Sequence, residues 1–248
     1  MKKGAVGIGI ASIAALIGAP AFAADMAVKA RPQVSVVAAR WTGFYGGFNA
    51  GAAWASTQFG WNSPGPAAAI LADSMATLHP AGFAGGGQIG YNYQINSLVL
   101  GAEADIDYTD LSASRQVPTP PFANQVNEAF TSHWLATFRG RLGYSTDRIL
   151  IYATGGLALA QTKLYDALGF NAETASTDRT KAGWTAGGGV EWAVDPKWSV
   201  KAEYLYVDLG SVNFSQLTDA AGVAIDTGIF GHKMRENIAR VGLNYRLN

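Results

Sequence analysis

The 248-residue sequence predicts an all-β fold, one eight-stranded antiparallel up-and-down barrel, and three observations predict it. Two-residue alternation of apolar with small or polar side chains returns eight times between Trp41 and Leu247. The connections between these stretches alternate in length, one of hairpin size and the next long. The chain is 49% hydrophobic and only 15% charged, below the roughly 25% usual in a soluble domain. Yet beyond the N-terminus no run of 18 apolar residues is available for a membrane helix. Strands have to carry that apolar content.

Lys2 and Lys3 precede an apolar run from Gly4 to Ala19, and "APAFA" then places small residues at Ala21 and Ala23. This pattern predicts a signal peptide over residues 1–23, cut after Ala23. As a membrane anchor the run is short, and its glycines weaken it. Removing Lys2 and Lys3 leaves 16 basic and 18 acidic residues, a formal charge of −2, in an exported chain. That balance offers no basic patch for nucleic acid. Cysteine is absent, which removes disulfides, thiolate metal sites and cysteine nucleophiles. Residues 24–40, with Pro32 interrupting any ladder, predict a periplasmic lead-in rather than a domain.

The first strand is expected in "WTGFYGGFNAGAAW", where Phe44, Phe48 and Trp54 share one phase and Tyr45, Gly47, Asn49, Gly51 and Ala53 the other. The second, "GFAGGGQIGYNYQI", sets Phe83, Ile89, Tyr91, Tyr93 and Ile95 against Ala84, Gly86, Gln88, Gly90, Asn92 and Gln94. The third, "LVLGAEADIDY", opposes Leu98, Leu100, Ala102, Ala104, Ile106 and Tyr108 to Val99, Gly101, Glu103, Asp105 and Asp107. On a helix such a pattern would put acids on every side.

In the fourth stretch Phe130, Trp134, Ala136, Phe138, Leu142 and Tyr144 oppose Thr131, His133, Thr137, Arg139 and Arg141. The fifth, "ILIYATGGLALA", is read with Ile149, Ile151, Leu157 and Leu159 on the greasy side. The sixth turns Trp184, Val190, Trp192 and Val194 away from Lys181, Thr185 and Glu191. The seventh turns Trp198, Val200, Ala202, Tyr204 and Tyr206 away from Ser199, Lys201 and Glu203. In the eighth, Ala239, Val241, Leu243, Tyr245 and Leu247 oppose Arg240, Asn244 and Arg246. Asn96-Ser97, "STDR" and "DPK" supply the short turns, and long loops are expected at about 56–80, 110–128, 164–180 and 210–232. An even strand count with short turns on one side and long loops on the other is the layout of a bacterial outer-membrane barrel.

Alternation alone does not say which face is outside, because a lipocalin-like soluble barrel has the same period with a greasy interior. Volume decides. Eight strands enclose an interior just wide enough for side chains to fill, so the ring-bearing phase would overfill it. Turned outward, the rings meet lipid and form interfacial girdles, and the small, ionised phase lines the lumen. The barrel is therefore expected to be transmembrane, over residues 41–248, in the cell outer membrane of a Gram-negative bacterium.

Near the chain end Arg240, Gly242, Tyr245 and Leu247 form a polar-x-Gly-x-x-aromatic-x-apolar pattern, which resembles the terminal-strand signal read by the barrel-assembly machinery. Together with "WTGFYGGFNAG", "GGQIGYNYQ", "GAEADI", "RGRLGY" and "GLNYR", the sequence from 41 to 248 resembles the small eight-stranded outer-membrane proteins of alphaproteobacteria, relatives of the OmpA-type barrel. The resemblance implies a structural, surface-exposed envelope protein without enzymatic activity. Such proteins are also described as porins, so a narrow pore for small polar solutes stays open, as does an adhesin or receptor acting through the loops.

One constellation is expected in the lumen: Glu103, Asp105, Asp107, Arg139, Arg141, Glu191, Lys201, Glu203 and Arg240. An ion-pair network that plugs the barrel is favoured over a solute path, since an unpaired charge in a narrow lumen is costly. Glu103 and Asp105 could pair for glycoside hydrolysis, but no open cleft is implied. His79, His133 and His232 have no serine–acid arrangement beside them, and two loop histidines are a thin basis for haem or a metal. "GGGQIG" and "TAGGG" open no helix, so neither cradles a phosphate. No catalytic residue, cofactor or metal is expected. The expected partners are outer-membrane lipid and lipopolysaccharide, the assembly machinery, and an external ligand taken by the loops.

Overall fold

The computed structural model describes residues 39–62, 77–119, 124–168, 173–214, 217–218, 224–226 and 229–247. The expected signal peptide and all of the lead-in before Ala39 lie outside them. Eight long strands form the wall: β1 (Gly43–Asn62), β2 (Ala81–Ile95), β3 (Leu98–Thr119), β4 (Asn124–Thr146), β5 (Ile149–Leu168), β6 (Glu173–Ala193), β7 (Trp198–Phe214) and β8 (Ile229–Arg246). Each pairs antiparallel with its sequence neighbours, and β1 pairs with β8 from Tyr45↔Arg246 to Asn62↔Ile229, so the sheet closes without a free edge. Two- and three-residue strands at Thr77–Leu78, Leu217–Thr218 and Ala224–Asp226 add short ladders at the loop end.

Closure follows from the alternation. The outward phase is strongly exposed, with Phe48 at 78%, Ile89 at 67% and Ile151 at 60%, while the facing phase is buried. Rings gather near both rims of the apolar band, Phe44 on Tyr91 (4.7 Å) and Trp198 on Tyr245 (4.9 Å) at the turn end, Trp54 near Tyr204 (6.2 Å) and Trp184 on Tyr206 (5.4 Å) at the loop end. From Phe44 to Trp54 the chain advances roughly 34 Å along the strand, which at a tilt of 35–45° is about 24–28 Å of height, the thickness of an outer-membrane apolar band.

Two turns use left-handed backbone that asparagine and aspartate tolerate, Asn96 (φ 53°) and Asp147 (φ 46°). At the third, Asp195 accepts hydrogen bonds from the backbone N–H groups of Lys197 and Trp198, both at 2.7 Å.

The strands run further than expected. Much of the length assigned to loops is ladder: β3 reaches Thr119 and β4 begins at Asn124, β5 reaches Leu168 and β6 begins at Glu173. Backbone pairing continues beyond the lipid, but there the outer face sees water. Asp110, Ser112, Ser114 and Gln116 are exposed on β3, and the apolar alternation that flags a strand is gone.

A second correction concerns β4. Phe130, expected on the lipid face, is 1% exposed and inside, whereas His133, expected inside, is exposed and stacks on Tyr108 at 6.3 Å. The register slips between Tyr108 and Leu111 against β3, and between Thr131 and Leu135 against β5. A bulge of this kind reverses the side of every residue beyond it.

Candidate functional site

The buried inward side chains fall into three layers. At the turn end Trp41, Val99, Leu150, Tyr152 and Ala193 form an apolar cluster. At the loop end a larger one includes Leu78, Leu111, Phe130, Leu135, Leu209 and Met234. Between them lie the charges. Period-two geometry puts Glu103, Asp105 and Asp107 on the inner face of β3, Arg139 and Arg141 on β4, Glu191 on β6, Lys201 and Glu203 on β7 and Arg240 on β8. All nine expected lumen residues are buried.

Arg139 is the hub. Its Nη2 donates to Glu103 (2.5 Å) and Asp105 (2.6 Å), its Nη1 to Glu203 (3.0 Å) and its Nε to the Thr137 hydroxyl (2.9 Å). Arg240 donates to Glu203 through Nε (2.9 Å) and Nη2 (2.7 Å), and to Asp107 through Nη1 (2.5 Å). Lys201 Nζ reaches both oxygens of Glu103, at 2.9 and 3.1 Å. Nearer the turn end Arg141 pairs with Glu191, whose other oxygen accepts from Ser199 (2.5 Å) and Asn244 (3.0 Å).

Four cations thus face five carboxylates, and every one of these charges is paired. Burying one charge costs several kcal/mol, and only good geometry with further hydrogen bonds offsets it. Here those bonds come from Thr137, Ser199, Asn244 and two tyrosines. Tyr45 donates to Glu103 at 2.7 Å, and Tyr152 donates to Glu203 at 3.0 Å while the Arg141 guanidinium lies 3.6 Å over its ring.

Glycine makes room for both rings. A Cβ on Gly90 would collide with the Tyr45 ring, and one on Gly189 would lie 2.7 Å from the Tyr152 hydroxyl. This is why glycine stands at these two inward positions, despite its cost in a strand. The tyrosines, Gln88, Asn244 and Ser199 complete the network and were absent from the expected constellation. Their inward parity was the only sign of them in the sequence.

Not every inward polar group is satisfied. Both carboxylate oxygens of Glu236, which is fully buried, lack a hydrogen-bond partner among the described residues. Its ladder neighbours Ala55 and Val207 and the inward residues two places away on β8, Met234 and Ile238, are apolar. Among the described residues no group of three or more His, Asp or Glu is placed to hold a metal ion. His79 and His133 are exposed, and His232 lies in β8. "GGGQIG" and "TAGGG" lie within β2 and β6. On β8 Arg240 points inward and Tyr245 outward; Leu247, just past the strand, is exposed, and its N–H donates to the Phe44 carbonyl at 2.9 Å.

Comparison with known proteins agrees with this architecture. Residues 10–246 match the family described as outer membrane protein beta-barrel domain. The chain is 36% identical over 244 residues to the 31 kDa outer-membrane immunogenic protein of Brucella melitensis, covering 96% of this chain and 98% of that one. It is 28% identical over 233 residues to the 25 kDa outer-membrane immunogenic protein of Brucella abortus, covering 92% and 91%. Against the 22 kDa outer membrane protein of Rhizobium leguminosarum bv. viciae it is 28% identical over 176 residues, 71% and 72% of the two chains. The chain belongs to the outer membrane protein β-barrel domain family and is an eight-stranded barrel of the Gram-negative outer membrane.

Proposed function

We propose that this is a non-enzymatic structural protein of the outer membrane, its lumen closed by ion pairs, which presents its extracellular hairpins to the surroundings. One observation carries the closed lumen: Lys201 on β7 and Glu103 on β3, strands on opposite sides of the ring, are hydrogen-bonded to each other through its centre. Three of the five paired carboxylates leave no vacancy for a substrate. Glu103, Asp105 and Glu203 each accept from at least two cations and a hydroxyl.

The partners follow from the surfaces. The outward apolar band suits lipid and the acyl part of lipopolysaccharide, and the Arg240, Gly242, Tyr245 and Leu247 pattern along the end of β8 and just past it suits the assembly machinery. That two relatives bear the name "immunogenic" supports surface exposure of the hairpins, where an external ligand would bind.

A narrow porin is the second reading. Inward polar atoms without a partner among the described residues, including Asn49 Oδ1, Asp107 Oδ1 and Thr185 Oγ1, are the kind of groups that line a wet path. Proteoliposome swelling separates the two readings. Vesicles carrying the folded barrel should not swell in isotonic solutions of glycine or arabinose, and swelling that scales with protein content would favour the porin.

A further inference from the structure

The chain just before β1 does not leave the barrel at the foot of that strand. The Ala39 N–H donates to the carbonyl of Asp147 at 2.9 Å, and Asp147 lies in the β4–β5 turn, on the far side of the ring from β1. Four residues, 39 to 42, span that opening. An extended segment of this length reaches at most about 14 Å, so the path is drawn straight across.

The segment is held at points around the rim. The Trp41 N–H donates to Gln94 Oε1 (2.8 Å) at the end of β2, and the Gln94 N–H donates to the Thr42 hydroxyl (3.0 Å). Arg246, at the end of β8, donates to the Arg40 carbonyl (2.5 Å) and lays its guanidinium 4.8 Å from the centre of the Trp41 ring. The indole is 1% exposed, packed with Val99 of β3, Leu150 and Tyr152 of β5 and Ala193 of β6. An aromatic that served only as an interfacial anchor would face lipid with the other girdle rings. This one points the other way, under Tyr152 and hence under the ionic layer.

We propose that Ala39–Trp41 is a built-in stopper, a strap that closes the periplasmic mouth of the lumen with the Trp41 indole as its bung. The inference extends the closed-lumen reading but does not rest on the ion pairs. Loss of the strap exposes Tyr152 and the Arg141–Glu191 pair to periplasmic water while the charges stay paired.

The cysteine-free chain permits a direct test. Leu150→Cys places a thiol in the buried cluster that holds the indole, and Leu135→Cys places one in the loop-end cluster. In the folded barrel, verified by heat-modifiable gel mobility, a water-soluble maleimide should label neither. Adding Trp41→Ala should speed labelling at position 150 at least tenfold and leave position 135 protected. Equal rates at position 150 with and without Trp41→Ala would overturn the stopper, and so would labelling that rises equally at both positions. Should Trp41→Ala fail to fold, Ala39→Cys with Asp147→Cys still decides: oxidation should cross-link the folded chain across the mouth, and absence of the cross-link refutes the path. Conductance reads the ionic layer and thiol labelling reads the strap, so failure of one is distinguishable from failure of the other.

Discussion

Lys201 and Glu103 meet at 2.9 Å although their strands, β7 and β3, stand opposite each other in the ring. A contact between opposite walls can form only where the lumen is spanned by side chains. Both partners are buried, and Glu103 also receives Arg139 and Tyr45. Removing one member of such a pair leaves the other charge uncompensated in a dry interior, at a cost of roughly 3–5 kcal/mol. Lys201→Met should therefore lower the urea midpoint of the folded barrel strongly, and Lys201→Met combined with Glu103→Gln should recover part of that loss. Additive losses in the double variant would contradict the coupling.

The two lumen tyrosines make a prediction about glycine. Gly90→Ala drives a methyl into Tyr45 and should impair folding or expel the ring from its bond to Glu103. Gly46→Ala, on the outer face, meets no atom closer than 3.8 Å and should be tolerated. Heat-modifiable mobility after refolding compares them, and equal yields would count against close packing of Tyr45.

Glu236 runs against intuition. An acid with neither oxygen partnered among the described residues, set between Ala55 and Val207, carries a desolvation cost of about 1–3 kcal/mol or more. Glu236→Leu should raise the melting temperature of the barrel. A lowered or unchanged value would mean that the carboxylate has a stabilising role.

Asp195 gives a pH dependence outside the membrane. The N–H groups of Trp198 and Lys197 hold its carboxyl below the usual carboxylate range. A carboxyl depressed in the folded state contributes stability above its unfolded pKa, and that contribution is lost as pH falls through the folded value. Asp195→Ala should accordingly be less stable than the parent at pH 7, and the gap should close in strong acid. Denaturant midpoints across pH test this, and a gap that widens on acidification would show the wrong sign.

The sequence made the wall legible because lipid on one side and a crowded lumen on the other impose a period of two, and the nine lumen charges lie on the inward phase that this period defines. Partner choice was not legible. That Arg139 reaches Glu203 three strands away, or that Lys201 reaches the opposite wall, depends on the diameter and stagger of the ring, which no single strand encodes. Phe130 and His133 were misplaced because a bulge carries no compositional mark. The strand ends were missed for a different reason: Ser112 and Ser114 pair as well as any lipid-facing residue, but water on their outer side asks for no apolar side chain. Trp41 opens the stretch in which the first strand is expected, but the strand begins at Gly43, and only the path of the chain before it shows where the indole goes.

The closed lumen is tested most directly by single-channel recording of the purified, folded barrel in a planar lipid bilayer. Opposed walls joined by Lys201 and Glu103 predict a silent membrane, with no steady current steps at moderate voltage. Reproducible steps of constant size from the folded protein would contradict the closed lumen and make the barrel a pore.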